Sequence, residues 1–223
     1  MKVVIFGATG MVGSGVLREC LDDPRVHAVL VVGRRSVGVT DPKLREILHA
    51  DFLDYRPIEA AFGDRDACFF CLGVSSAGMR EDRYRQLTYD VTLAAANAMV
   101  AVNRQMIFCY VSGAGTDSTG RGRSMWARVK GQTENAILAL PFKRAYMFRP
   151  GFIIALKGVR SRTAIYRAIY LVVGPLFPIL RRLVPRLVTT TVNVGRAMIA
   201  VAATGYDRQI VESVDIERLA AEH

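Results

Sequence analysis

Short apolar runs alternate with amphipathic stretches through the first two thirds of the chain. Lys2 to Phe6, Ala28 to Val32, Ile47 to His49, Ala67 to Leu72, Met106 to Val111 and Ala145 to Phe148 are bounded by Gly, Pro or charged residues. Their length and punctuation predict strands. Gly10 to Leu21, Arg80 to Asn103 and Trp126 to Leu140 carry helical periodicity, the first closed by Asp22, Asp23 and Pro24. Almost continuously apolar strands separated by helices belong to a parallel sheet covered on both faces. The expected fold class is therefore α/β, a doubly wound parallel sheet with a small C-terminal helical elaboration. A chain of 223 residues, 51% of them hydrophobic, suits a single domain over 1–223.

The turn after the first strand reads Gly7-Ala8-Thr9-Gly10-Met11-Val12-Gly13 and opens a helix. In that context Gly7 permits a tight turn, Gly10 lets the backbone approach a pyrophosphate, and Gly13 lets the helix pack on the sheet. Thr9, Met11 and Val12 fall at the helix N-terminus, whose N–H groups face the phosphates. The spacing is GxxGxxG, not GxGxxG, and it marks a Rossmann-type dinucleotide site. The second strand ends in Gly33-Arg34-Arg35, where an NAD site usually carries an acid. A guanidinium fork suits a 2′-phosphate, so the expected cofactor is NADP, with NAD the weaker alternative. By position, Asp51 and Phe52 border the adenine, and Leu72 and Gly73 lie along the ribose.

Charge is uneven. Between Arg121 and Arg196 stand fifteen Lys or Arg and one acid, Glu134, whereas the whole chain is only +10. That field favours an anionic ligand or surface. No zinc-finger, RNA-binding or helix-turn-helix signal accompanies it, which ranks nucleic acid last. Thr163 to Val184 is rich in Ile, Leu, Val, Phe and Tyr. Its longest uncharged run, Ala168 to Leu180, is thirteen residues, short of the roughly 20 that span a bilayer. It is expected to form a cover over the substrate side within 151–190, its arginines making the mouth positive. The alternatives are a peripheral membrane contact and a homodimer contact. The four cysteines have no framework spacing, and the N-terminus has only four apolar residues, Val3 to Phe6, before Gly7. A reducing, cytoplasmic location is expected. Cys68 and Cys71 fall on opposite faces of a strand, and His27, His49 and His223 are scattered, so no metal site is expected.

Gly7 to Gly13, Gly33-Arg34-Arg35, Cys71-Leu72-Gly73, Val111-Ser112, Val129-Lys130-Gly131 and Arg149-Pro150-Gly151 together resemble the atypical short-chain dehydrogenases and reductases. Within them the chain is similar to the NmrA-like or epimerase-like NAD(P)H-binding proteins grouped with the Tat-interacting tumour suppressor. The resemblance implies an oxidoreductase or epimerase-like enzyme acting on a small molecule. Ser112 would be the catalytic serine, Lys130 would hold the ribose, and Pro150, Gly151, Phe152 and Ile153 would line the nicotinamide. The wider family's Tyr-x-x-x-Lys reads Trp126-Ala127-Arg128-Val129-Lys130 here. An indole N–H donates a hydrogen bond but does not release its proton at physiological pH. Tyr84, Tyr89, a water on Ser112, or Arg128 as an electrostatic stabiliser are candidates to replace the tyrosine. The same substitution supports a second reading, a non-catalytic NADP(H)-binding redox sensor or interaction module.

Overall fold

The computed structural model describes residues 1–156 and 188–222. Seven strands form one parallel sheet: β1 (Lys2–Phe6), β2 (Ala28–Gly33), β3 (Leu44–Leu48), β4 (Ala67–Phe70), β5 (Ile107–Val111), β6 (Arg144–Arg149) and a C-terminal strand (Ile210–Glu212). The C-terminal strand becomes β9, because β7 (Phe152–Ile154) and β8 (Val188–Thr190) pair with each other in a separate ribbon. The order β3-β2-β1-β4-β5-β6-β9 reverses direction between β1 and β4. That reversal opens a crevice at the carboxyl ends of these two strands.

Alternation along each strand builds two cores. Val3, Ile5, Val29, Val31, Phe69, Cys109 and Phe148 face one side, against α1 (Met11–Asp22), α5 (Thr191–Thr204) and α6 (Ser213–Ala221). Val4, Phe6, Leu30, Phe70, Phe108, Tyr110 and Met147 face the other, against α3 (Val91–Val102) and the end of α4 (Met125–Leu138). On that second side a ladder of rings crosses the strands, with Phe6 on Phe70 at 5.2 Å and Phe70 on Phe108 at 5.9 Å between centroids. Such offset pairs add to plain area burial.

Three differences from the sequence reading stand out. The segment expected as one helix from Arg80 to Asn103 is α2 (Glu81–Arg85) continued through a π turn, Gln86–Asp90, into α3. The third strand runs from Leu44 to Leu48, starting before the expected Ile47, because its polar Arg45 and Glu46 suit an edge strand. The C-terminal part supplies a seventh strand as well as helices. The expected cover over 163–184 lies outside the described residues.

Glycine lets the α1–α5 layer close. A Cβ at Gly15 of α1 would stand 2.5 Å from the Thr191 Cβ at the start of α5. We expect Gly15→Ala to destabilise the protein by about 1–3 kcal/mol, because overpacking outweighs the roughly 1 kcal/mol that alanine gains in a helix. Gly63→Ala, whose Cβ would meet nothing nearer than 3.7 Å, should stay within about 0.5 kcal/mol. Urea midpoints of the two variants decide it, and an unchanged midpoint for Gly15→Ala would refute the close contact.

Candidate functional site

The crevice begins at a turn made by backbone alone. Gly7 has φ +77°, and a Cβ there would lie 2.7 Å from the Cys71 carbonyl and the Leu72 nitrogen. The Gly7 carbonyl accepts the Gly10 N–H at 2.8 Å, and a Cβ on Gly13 would come within 2.2 Å of that oxygen. Gly13 therefore shapes the cradle from behind, whereas Gly10, Met11 and Val12 line it. The α1 N-cap, Gly10, has no side-chain cap, and the first turn holds no carboxylate. The positive end of the helix dipole is thus left facing the cleft, as an anionic diphosphate requires.

Two contiguous cavities share Leu72. The smaller, about 110 Å³, lies at the ends of β1 and β2 and is lined by Gly7, Thr9, Gly33, Arg34, Arg35 and Phe52. The Arg34 guanidinium sits 5.9 Å from the Phe52 ring centre, a cation–π distance that leaves a flat, positive shelf. Among the described residues no carboxylate lines this recess. Asp51 stands aside from it: its exposed carboxylate accepts the Leu53 N–H at 2.9 Å and closes a turn.

The larger cleft, about 560 Å³, is where β4, β5 and β6 end. Gly73, Ser112, Lys130, Pro150, Gly151 and Ile153 line it, and Phe152 does not. Lys130 Nζ donates to the Ser112 carbonyl. Among the described residues Lys130 is the one charged group lining the cleft. Burial depresses its pKa to about 8, although the Glu134 carboxylate opposes the shift. Cys71 also lines the cleft, but burial pushes its thiol up to about 12. It is therefore no nucleophile at neutral pH.

Beneath the cleft lies a network that sequence reasoning missed. Glu134 is fully buried and paired with Arg149, whose Nε donates to Oε1 at 3.0 Å and whose second nitrogen donates to Oε2. The Ser112 hydroxyl has two acceptors, Glu134 Oε1 and the Phe148 carbonyl, so its single proton points into the interior. Arg149 further reaches Ser118 and stands 3.6 Å from Glu212. The clue available in the sequence was Glu134 itself, one acid in a long basic stretch.

The other candidates are engaged elsewhere. The ring of Trp126 lies against the β5–α4 loop, 3.7 Å from where a Cβ on Gly115 would stand and 3.9 Å from one on Gly113, and it does not line the cleft. Arg128 donates to the Gly122 and Arg123 carbonyls and pairs with Glu81 at 2.6 Å. Tyr84 is buried in the core, with its hydroxyl pKa raised by burial. The Tyr89 ring lies 4.1 Å beneath the Arg85 guanidinium. Cys68 faces the second core, away from Cys71.

A family model described as NAD(P)H-binding matches residues 7–139. "Protein FMP52-1, mitochondrial" of Scheffersomyces stipitis is 29% identical over 69% of this chain and 68% of its own length. "Protein HTATIP2" of Rattus norvegicus is 26% identical over 69% of this chain and 63% of its own length. These findings support the expected kinship with atypical short-chain dehydrogenases. Among solved structures, MoeE5 in complex with UDP-glucose and NAD superposes with a TM-score of 0.68 at 18% identity, covering 100% of this chain and 81% of that one. That likeness is one of fold. The fungal relatives overturn the expectation of a purely cytoplasmic protein, since FMP52-1 and two others carry the word mitochondrial in their names.

Glu134→Gln would leave the Arg149 guanidinium, only 13% exposed, beside a neutral amide. Breaking a buried pair from one side costs about 3 kcal/mol. A urea midpoint lowered to that extent at unchanged slope is expected, with the double variant Glu134→Gln, Arg149→Met costing less than the two singles combined. Additive losses would show that the two side chains do not act as a pair.

Proposed function

The chain belongs to the NAD(P)H-binding family, and we propose that it binds NADP(H) and uses it in oxidoreductase chemistry on a small molecule. The observation that carries the cofactor choice is the recess at the end of β2. Arg34 and Arg35 stand there beside the phosphate-cradling turn, and among the described residues no carboxylate lines the site to accept from a ribose 2′-hydroxyl. Two guanidinium groups bond a 2′-phosphate through charge-assisted forks, each contributing about 1.5–3 kcal/mol.

Bound in the crevice, the nicotinamide supplies or accepts a hydride. The chain's own residues do the rest. Gly10, Met11 and Val12 set the diphosphate on the helix N-terminus, Leu72 and Gly73 flank the ribose, and Pro150, Gly151 and Ile153 close the far wall. Lys130 presents its ammonium at the junction of the ribose and substrate positions.

A second reading, a redox sensor that binds NADP(H) without turnover, is favoured by one observation. Trp126 stands at the tyrosine position and packs on the Gly113–Gly115 loop, where it contributes nothing to the cleft wall. Tight binding of NADPH with no oxidation of it across a broad carbonyl panel would decide for the sensor.

Arg34→Ala, Arg35→Ala should weaken NADPH binding by a factor of 10² or more while leaving NADH binding nearly unchanged, as two lost charge-assisted contacts demand. Calorimetry with both nucleotides measures this directly. A double variant that still discriminates strongly for NADPH would refute the assignment.

A further inference from the structure

The cleft has a proton problem that its geometry solves. Carbonyl reduction needs an acid at the substrate oxygen, and the family's phenol is replaced by Trp126, whose ring is turned onto the loop. Ser112 holds its proton toward Glu134, and Glu134 is itself committed to Arg149. Arg128 is tied to the loop carbonyls and Glu81. Ser75 also lines the cleft, its Oγ accepting the Ala77 N–H, and among the described residues the one charged group in the wall is the Lys130 ammonium, with one N–H on the Ser112 carbonyl and two further N–H bonds.

Val74, Val111 and Ala114 line the cleft beside it, together with Ser75. Resting on the oxidoreductase reading above, we infer that Lys130 is the general acid of this site and that the cleft takes small aldehydes and ketones, their carbonyl oxygen seated on Nζ. NADPH gives up a hydride and leaves as NADP⁺. The carbonyl carbon receives that hydride, its π electrons pass to oxygen, and oxygen takes a proton from Nζ. Lys130 is left as a neutral amine and regains its proton from water.

The surroundings suit the task. Glu134, one helical turn along α4, favours the ammonium of Lys130; Arg149 behind it pairs with that carboxylate; the Cys71 thiol on the β4 side stays protonated. A lysine poised near neutrality by burial can both hold and release a proton at working pH. Reduction should therefore fall tenfold per pH unit above about 8, as the ammonium is lost.

The test uses the whole protein with NADPH and benzaldehyde, acetophenone and cyclohexanone as probes. Lys130→Arg keeps the positive charge but has a guanidinium that does not deprotonate. It should bind NADPH within tenfold of wild type by fluorescence titration, yet lose 10² or more in kcat and lose the pH break. Lys130→Met should lose the break as well. The chain has five lysines, so ¹³C-dimethylated protein gives few NMR signals, and the one missing in Lys130→Arg should titrate near 8, well below the others. A titration near 10 overturns the inference. So does an arginine variant that keeps wild-type kcat and its pH break, or one that loses only cofactor affinity. Wild-type protein that reduces other carbonyls with NADPH but none of these probes would overturn the inference, whereas wild-type protein that binds NADPH and reduces no carbonyl of a broad panel would overturn the oxidoreductase reading itself.

Discussion

The Gly7 carbonyl is the point on which the rest of the structure turns. β1, β4 and α1 meet there through backbone atoms alone, with Gly10 donating to it and Gly13 pressed against it, while Gly7 itself rests on the Cys71–Leu72 peptide. Any side chain at Gly7 or Gly13 would drive helix and strands apart. Close approach continues along α1, where Gly15 meets Thr191 and the Glu19 side chain meets Gly195 of α5. One run of small residues therefore makes the cradle, aims a helix dipole into the crevice, and seats the C-terminal layer against the sheet.

The other half of the crevice is organised by charge. Glu134 has no exposure to water, and an isolated carboxylate in that position would be costly. Its stability there comes from the Arg149 fork and the Ser112 hydroxyl, which together satisfy both oxygens. The arrangement fastens the ends of β5 and β6 to α4, and so fixes where Lys130 leaves its helix. Ser112 consequently serves the framework with its hydroxyl and the site with its carbonyl.

What was legible in the sequence was local. β1, α1, β2, β4, β5 and β6 announced themselves by apolar runs and breakers, and the glycine turn by its spacing after a strand. Less visible was everything decided by partners distant in the chain. β9 is three residues whose register is set by β6 from Met147 to Arg149. β8 ends at Thr190, whose side chain accepts the Asn193 N–H at 3.0 Å and caps α5. The partner of Ser112 lies 22 residues on, across the α4–β5 packing, where no spacing rule reaches. Asp51 follows the same logic in reverse: position suggested a ligand contact, and a local Asx turn claimed the carboxylate.

The tryptophan at the tyrosine position is part of a consistent local solution. Gly113 and Gly115 adopt φ of 154° and 84°, and their missing side chains make room for the indole. The loop beyond is closed by Asp117, which accepts from the Thr119 and Gly122 N–H groups, and it lies so close on α4 that a Cβ at Gly131 would stand 1.8 Å from the Asp117 carbonyl. Arg128 then pins the same loop through two carbonyls. With the ring absorbed into this packing, the aromatic residue and the lysine four positions later no longer share one task. The first holds the loop, and the second lines the cleft.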